Sequence, residues 1–153
     1  MIFRPFDPSD LPELAAVLAD AETVRYVDDG QPSTRDEAAL WIERSRENVA
    51  RFGWGTGAVV EIASGRLIGW GGFARPEGQP EELIYGLART HWGRGLGPEL
   101  AEALVQYGTK ALGLRELRAT VHPANAVSAK ILTRLGFVRV EWNATDAHLY
   151  ILR

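Results

Sequence analysis

The sequence predicts a mixed α/β domain: a central, mostly antiparallel sheet of about seven strands with about four helices on both faces. The apolar patterns run strand, two helices, three strands, helix, strand, helix, two strands, an order that needs a mixed sheet covered on both sides. Only the strand-helix-strand passage near residues 82 to 121 reads as a parallel crossover. A chain of 153 residues fits one domain, 1–153, and can bury a sizeable core.

Ile2, Phe3 and Phe6 form the opening strand, and Asp7-Pro8-Ser9 supplies a turn and a helix cap. Leu11, Leu14, Val17 and Leu18 recur at helical spacing. A second helix starts at Thr34, whose hydroxyl makes a capping-box pattern with Glu37, and runs to about Ala50. Between the two helices lies an irregular, acidic loop with Tyr26, Asp28 and Asp29.

Ala58 to Ile62 and Leu67 to Trp70 are short apolar runs separated by Ala63-Ser64-Gly65-Arg66, a hairpin signal because Ser-Gly supplies the positive φ of a tight turn. The polar, Pro/Gly-rich stretch from Arg75 to Pro80 is a loop, and Glu82 to Leu87 is the next strand. Leu100, Leu104, Tyr107 and Ala111 line one face of a helix ending near Gly113. Leu117 to Val121 is a strand, about Asn125 to Leu135 a shorter helix stopped by Gly136, and Phe137 to Val140 with His148 to Leu152 complete the sheet.

Composition narrows the function. Hydrophobic residues at 46% and charged residues at 24% describe an ordinary folded chain. A net charge of -3 with no Lys/Arg run gives no footprint for nucleic acid or an anionic membrane. The apolar stretches are too short to span a bilayer, and Arg4 and Asp7 interrupt any signal-peptide core, so a cytoplasmic chain is expected. With no cysteine there is no thiol nucleophile and no disulfide. His91, His122 and His148 are too scattered for a metal site, and no metal is assigned.

The most informative stretch is Trp92-Gly93-Arg94-Gly95-Leu96-Gly97-Pro98-Glu99, set between a strand and a helix. Glycines allow close approach of a ligand to the backbone, and the helix start aims unpaired N–H groups and its dipole at whatever lies in the turn. A pyrophosphate suits such a turn; a Gly-rich helix entry with no ligand is the other reading. A Walker loop is excluded by the missing Gly-Lys-Ser/Thr ending, and a dinucleotide fingerprint by Pro98 where glycine is required.

This stretch resembles the Arg/Gln-x-x-Gly-x-Gly/Ala signature of the Gcn5-related N-acetyltransferases, with Trp92 in place of Arg/Gln as in the branch similar to the ribosomal-protein N-terminal acetyltransferases. A second signature of that family, Asn-x-x-Ala/Ser followed by Gly-Phe, is matched by Asn125-x-x-Ser128 and Gly136-Phe137. The resemblance covers nearly the whole chain. It implies acetyl-CoA as acetyl donor, an amine acceptor, direct transfer in a ternary complex, and a homodimer as one possible assembly.

By the same resemblance the strand end at Leu87 and Ala88 pairs with the pantetheine arm, and Trp92, Gly93, Arg94, Gly95, Leu96 and Gly97 hold the pyrophosphate. Pro98 offers no N–H. A backbone N–H near Ala88 is the expected oxyanion donor. Glu82 stands where the family carries a general base, or it solvates a strand end beside Glu81. The family's acidic Tyr is replaced by Leu132, which leaves Ser128 and Tyr150 as the hydroxyls to test, with capping and packing as their other roles. Asn125 either holds the cofactor arm or caps its helix.

Asp28 and Asp29 suit attraction of a cationic amine, and Trp54 and Trp142 lie in segments able to line an acceptor pocket. His122, at a strand end, is set aside as structural. A catalytically silent acetyl-CoA-binding module on the same fold is the alternative function, and an interaction domain without cofactor a third. Protein N-termini, amino acids, polyamines and aminoglycosides all stay open as acceptors, with an α-amino group favoured by the ribosomal-protein likeness.

Overall fold

The computed structural model describes residues 1–74, 80–144 and 146–153. The expected loop from Arg75 to Pro80 falls outside the described residues except for Pro80.

In chain order the elements are β1 (Ile2–Pro5), α1 (Leu11–Leu18), α2 (Arg35–Phe52), β2 (Thr56–Val60), β3 (Leu67–Ala74), β4 (Glu82–Leu87), α3 (Leu96–Gln106), β5 (Leu117–Val121), α4 (Ala126–Arg134), β6 (Val138–Val140) and β7 (His148–Leu152). They build a seven-stranded sheet in the order β1-β2-β3-β4-β5-β7-β6. Every neighbouring pair is antiparallel except β4 and β5, the pair joined by the α3 crossover. The predicted fold class and its single parallel crossover are present.

Two apolar clusters sandwich the sheet. Leu14 and Leu18 of α1 and Ile42 of α2 pack with Phe6, Val24, Ala58 and Trp70 on one face. Leu100 and Leu104 of α3 and Leu132 of α4 pack with Phe73, Leu83, Ala119 and Tyr150 on the other. Phe6, expected in the first strand, lies just beyond it and is 1% exposed in the α1/α2 cluster. Beside it Arg4 makes two 2.8 Å hydrogen bonds to Asp10 and ties β1 to the start of α1.

Helix ends follow their local chemistry. The Thr34 hydroxyl accepts from the Glu37 N–H at 3.2 Å, and α2 continues past Ala50 to Phe52, ending on Gly53 at φ +85. The third helix departs from expectation. Its α-helical part ends at Gln106, and Tyr107–Ala111 is a π turn in which the Leu112 N–H donates to the Tyr107 carbonyl at 3.1 Å. The wider turn seats Gly108 against the Phe73 ring, where a Cβ would come within 2.6 Å.

Candidate active site

Strands β4 and β5 are paired at one position, Glu82 with Arg118, where the Arg118 N–H donates to the Glu81 carbonyl at 3.2 Å. Past this point no further register pair joins them among the described residues. Strand β4 stays on β3 up to Leu87 opposite Gly69, and β5 stays on β7 up to Val121 opposite His148. The two strands therefore open into a gap toward their C-terminal ends.

Successive residues of a strand present their N–H and C=O groups to opposite neighbours. The Ala88 N–H donates to the Ile68 carbonyl of β3 at 2.7 Å, while the Glu81 carbonyl serves β5. Alternation accordingly turns the backbone groups of Tyr85 and Leu87 into the gap. The oxyanion donor expected near Ala88 is engaged within the sheet, and the N–H groups facing the gap belong to its neighbours on β4.

At the open end of the gap the chain makes a short turn, Arg89–His91, and then enters the glycine stretch. Gly93 and Gly95 have φ of +76 and +75, the left-handed region that glycine tolerates best. Gly97 differs, because a Cβ there would meet only Ile131 Cδ1, at an ordinary 3.7 Å. Nothing in the fold demands glycine at that position.

Gly95 is the N-cap of α3 and no side chain caps that end. The Glu99 N–H already reaches the Gly95 carbonyl at 3.4 Å and Pro98 has none, which leaves the Leu96 and Gly97 N–H groups as the donors that the first turn itself does not use. The Trp92 indole N–H donates to the Leu87 carbonyl at 2.8 Å and pins the turn to the end of β4. Arg94 lies 3.8 Å from Glu61, which also receives His91 at 3.5 Å. The Ser64 hydroxyl, with help from His91 and Arg94, holds the Glu61 carboxyl below its ordinary value.

On the α3/α4 face, Asn125 caps α4: its side-chain oxygen accepts from the Ser128 N–H at 3.2 Å. The Ser128 hydroxyl is hydrogen-bonded to the Tyr85 hydroxyl at 2.9 Å, a contact from α4 to the gap-lining strand. Burial pushes the Tyr85 phenol above its ordinary value, and the Ser128 bond offsets this only in part. Leu132 is 1% exposed and belongs to the core. Tyr150, opposite Ala119 in the β5–β7 register, is buried on this same face.

Glu82 lies on the other face, where its carboxylate accepts from the Thr120 hydroxyl of β5. Arg118, its register partner, stacks its guanidinium 5.3 Å from the centre of the Trp142 ring. The structure thus brings Glu82 and Trp142 to the α1/α2 face and keeps Ser128 and Tyr150 on the opposite one. Trp54 lines a separate cavity of about 360 Å³ among β1, the end of α2 and α3, whose lining includes no residue of β4, β5 or the glycine turn.

Sequence reasoning passed over Tyr85, Thr120 and Thr23. Period-two alternation put Tyr85 on the face opposite Glu82, but nothing local paired it with a serine 43 residues later. Thr23 accepts from the Arg89 N–H at 3.1 Å across 66 residues of chain, a contact for which the sequence has no signal.

Residues 1–138 match a family model described as acetyltransferase (GNAT) domain. The chain is 28% identical over 144 residues to the uncharacterized N-acetyltransferase p20 of Bacillus licheniformis, covering 90% of this chain and 78% of that protein. Its fold is similar to an acetyltransferase from Agrobacterium tumefaciens str. C58, with TM-score 0.83, 24% identity, and 99% and 89% of the two chains covered. It is also similar to RimL, the ribosomal L7/L12 alpha-N-protein acetyltransferase in complex with coenzyme A, with TM-score 0.77, 18% identity, and 98% and 92% covered.

Proposed function

Because this chain belongs to the GNAT acetyltransferase family, we propose that it moves an acetyl group from acetyl-CoA to a primary amine, by direct transfer in a ternary complex. The acceptor is a protein N-terminus or a small-molecule amine. The observation that carries the donor assignment is the junction of the β4–β5 gap with the uncapped start of α3. An extended pantetheine arm fits the strand edge that β5 leaves open, pairing with Tyr85 and Leu87, while the pyrophosphate fits the Leu96 and Gly97 N–H groups. The likeness to RimL, solved with coenzyme A, supports the same donor and favours an α-amino acceptor.

The division of side chains between the two faces suits the chemistry. The amine approaches from the α1/α2 face, where Glu82 takes its proton directly or through one water. The amine nitrogen bonds to the thioester carbonyl carbon, and the oxygen gains charge beside the gap-facing N–H groups of β4. The C–S bond then breaks, and the sulfur takes a proton from the Ser128 hydroxyl, which Tyr85 replenishes through their hydrogen bond. The Tyr85 phenol, which burial raises above its ordinary value, is protonated at neutral pH and can pass a proton on only as the serine gives up its own. A thiolate whose conjugate acid has a pKa of roughly 8.5 needs only this modest assistance.

Isothermal titration with acetyl-CoA, using the wild type and Gly95→Glu, tests the donor site. Micromolar binding to the wild type and none to the folded variant is the expected pair of results, followed by turnover in an amine screen. A folded wild type that binds no acetyl-CoA overturns the assignment, and binding without turnover of any amine would identify the silent module instead.

A further inference from the structure

Among the described residues no ladder beyond the Glu82–Arg118 pair holds β4 and β5 at a fixed spacing. Each is tied to its own half of the sheet, β4 to β3 and β5 to β7. The width of the gap at its open end therefore depends on whatever crosses from one half to the other.

The connection between α1 and α2 makes such a crossing. On the β4 side the Thr23 hydroxyl accepts from the Arg89 N–H at 3.1 Å and donates to Asp20 at 2.7 Å, and Asp20 meets the Arg89 guanidinium at 3.2 Å. Val24, next in sequence, is 2% exposed and packed with Phe6, Leu14 and Trp70, so this part of the connection moves with the β1–β4 half. On the β5 side the Tyr26 ring stacks on His122 with centroids 5.0 Å apart and planes inclined by 34°. The imidazole is itself oriented, because its Nδ1 accepts from the Ala124 N–H at 3.0 Å.

We propose that the segment from Asp20 to Tyr26 is a strap that sets the width of the β4–β5 gap, with Tyr26 the positioning residue that holds the β5 side through His122. Thr23 and Tyr26 are three positions apart, and an extended chain covers at most about 3.6 Å per residue, on the order of 10 Å in all. Arg89 and His122 consequently cannot part beyond side-chain reach unless one anchor lets go. The strap presets the slot that the pantetheine arm enters, so it contributes to donor affinity before any amine is bound. This rests on the acetyl-CoA assignment of the gap.

The test compares wild type, Tyr26→Ala and Tyr26→Phe in titrations with acetyl-CoA alone, with steady-state kinetics and a thermal melt beside them. An aromatic pair is worth about 0.5–1.5 kcal/mol, so Tyr26→Ala weakens acetyl-CoA binding by roughly 2- to 12-fold. Tyr26→Phe, which keeps the ring, binds as wild type, and Tyr26→Ala stays folded with a melting temperature lower by a few degrees at most, the shift expected from losing one half-buried ring contact. Unchanged acetyl-CoA affinity in Tyr26→Ala overturns the proposal, including the case where only the KM of the amine rises. Lack of binding by the wild type overturns the donor assignment itself and the strap with it.

Discussion

The indole N–H of Trp92 donates to the carbonyl of Leu87, 2.8 Å away, and so closes a loop of five residues between the end of β4 and the glycine turn. Trp92 occupies the one position at which the turn departs from the family's Arg/Gln signature. Its ring half-exposed and its N–H engaged, it supplies by a side chain the tie between turn and strand. Replacing it with Phe keeps most of the ring and deletes the donor. A hydrogen bond of this kind is worth about 0.5–1.5 kcal/mol, so Trp92→Phe is expected to weaken acetyl-CoA binding by roughly 2- to 12-fold in calorimetry, with a small change in melting temperature.

Gly95 and Gly97 separate backbone demand from ligand demand. Gly95 sits at φ +75, so Gly95→Ala is expected to lower stability by about 1 kcal/mol in urea titration as well as to impair binding. At Gly97 a Cβ finds only an ordinary contact with Ile131, so Gly97→Ala leaves the urea midpoint almost unchanged while acetyl-CoA affinity falls several-fold. Equal affinity in Gly97→Ala would remove the pyrophosphate from that first turn.

Ser128 and Tyr85 share one hydrogen bond, and residues that act through one contact are not additive. If they serve as one proton source, Ser128→Ala and Tyr85→Phe each reduce kcat about as much as the double variant does, with the KM for acetyl-CoA little changed. Multiplicative losses would mean separate roles. Glu82→Gln, on the other face, is expected to lower kcat by roughly 100-fold or more while acetyl-CoA still binds, because proton removal by a placed base contributes about that much.

Beneath α2 the Thr56 hydroxyl is shared by the Trp41 indole N–H, at 3.2 Å, and the Ser45 hydroxyl. Thr56 is 6% exposed and Ser45 2%, so water cannot replace a lost partner there. Thr56→Val is nearly isosteric and is expected to cost about 2 kcal/mol in chemical denaturation, the penalty for leaving buried polar groups unmatched. A neutral result would show that the network contributes specificity alone.

Acid sensitivity follows from Asp10. Burial works to raise its carboxyl, but the hydrogen bonds from Arg4 and from the Asp7 N–H outweigh that and leave it below the ordinary 3.8. A depressed folded-state value adds stability that is fully present above the unfolded value and disappears as pH falls through the folded one. Unfolding free energy measured by urea is thus expected to decline below about pH 4 and to decline less steeply in Asp10→Asn. The variant would also be less stable than wild type at neutral pH, since it gives up the charge-assisted pair with Arg4.

What the sequence determined was local. The glycine turn was legible because φ near +75 at Gly93 and Gly95 is a property of single residues, and the capping roles of Thr34 and Asn125 because caps act over three residues. Strand periodicity likewise put Glu82 and Tyr85 on opposite faces of β4, whatever those faces meet. Only the tertiary structure decided what lies across from each of them: Thr120 opposite Glu82, Ser128 opposite Tyr85, and Thr23 beneath Arg89. It also decided that the gap-facing N–H groups are those of Tyr85 and Leu87 and that Ala88 serves β3, because the register between strands depends on the packing of the whole sheet, and no single strand carries that information.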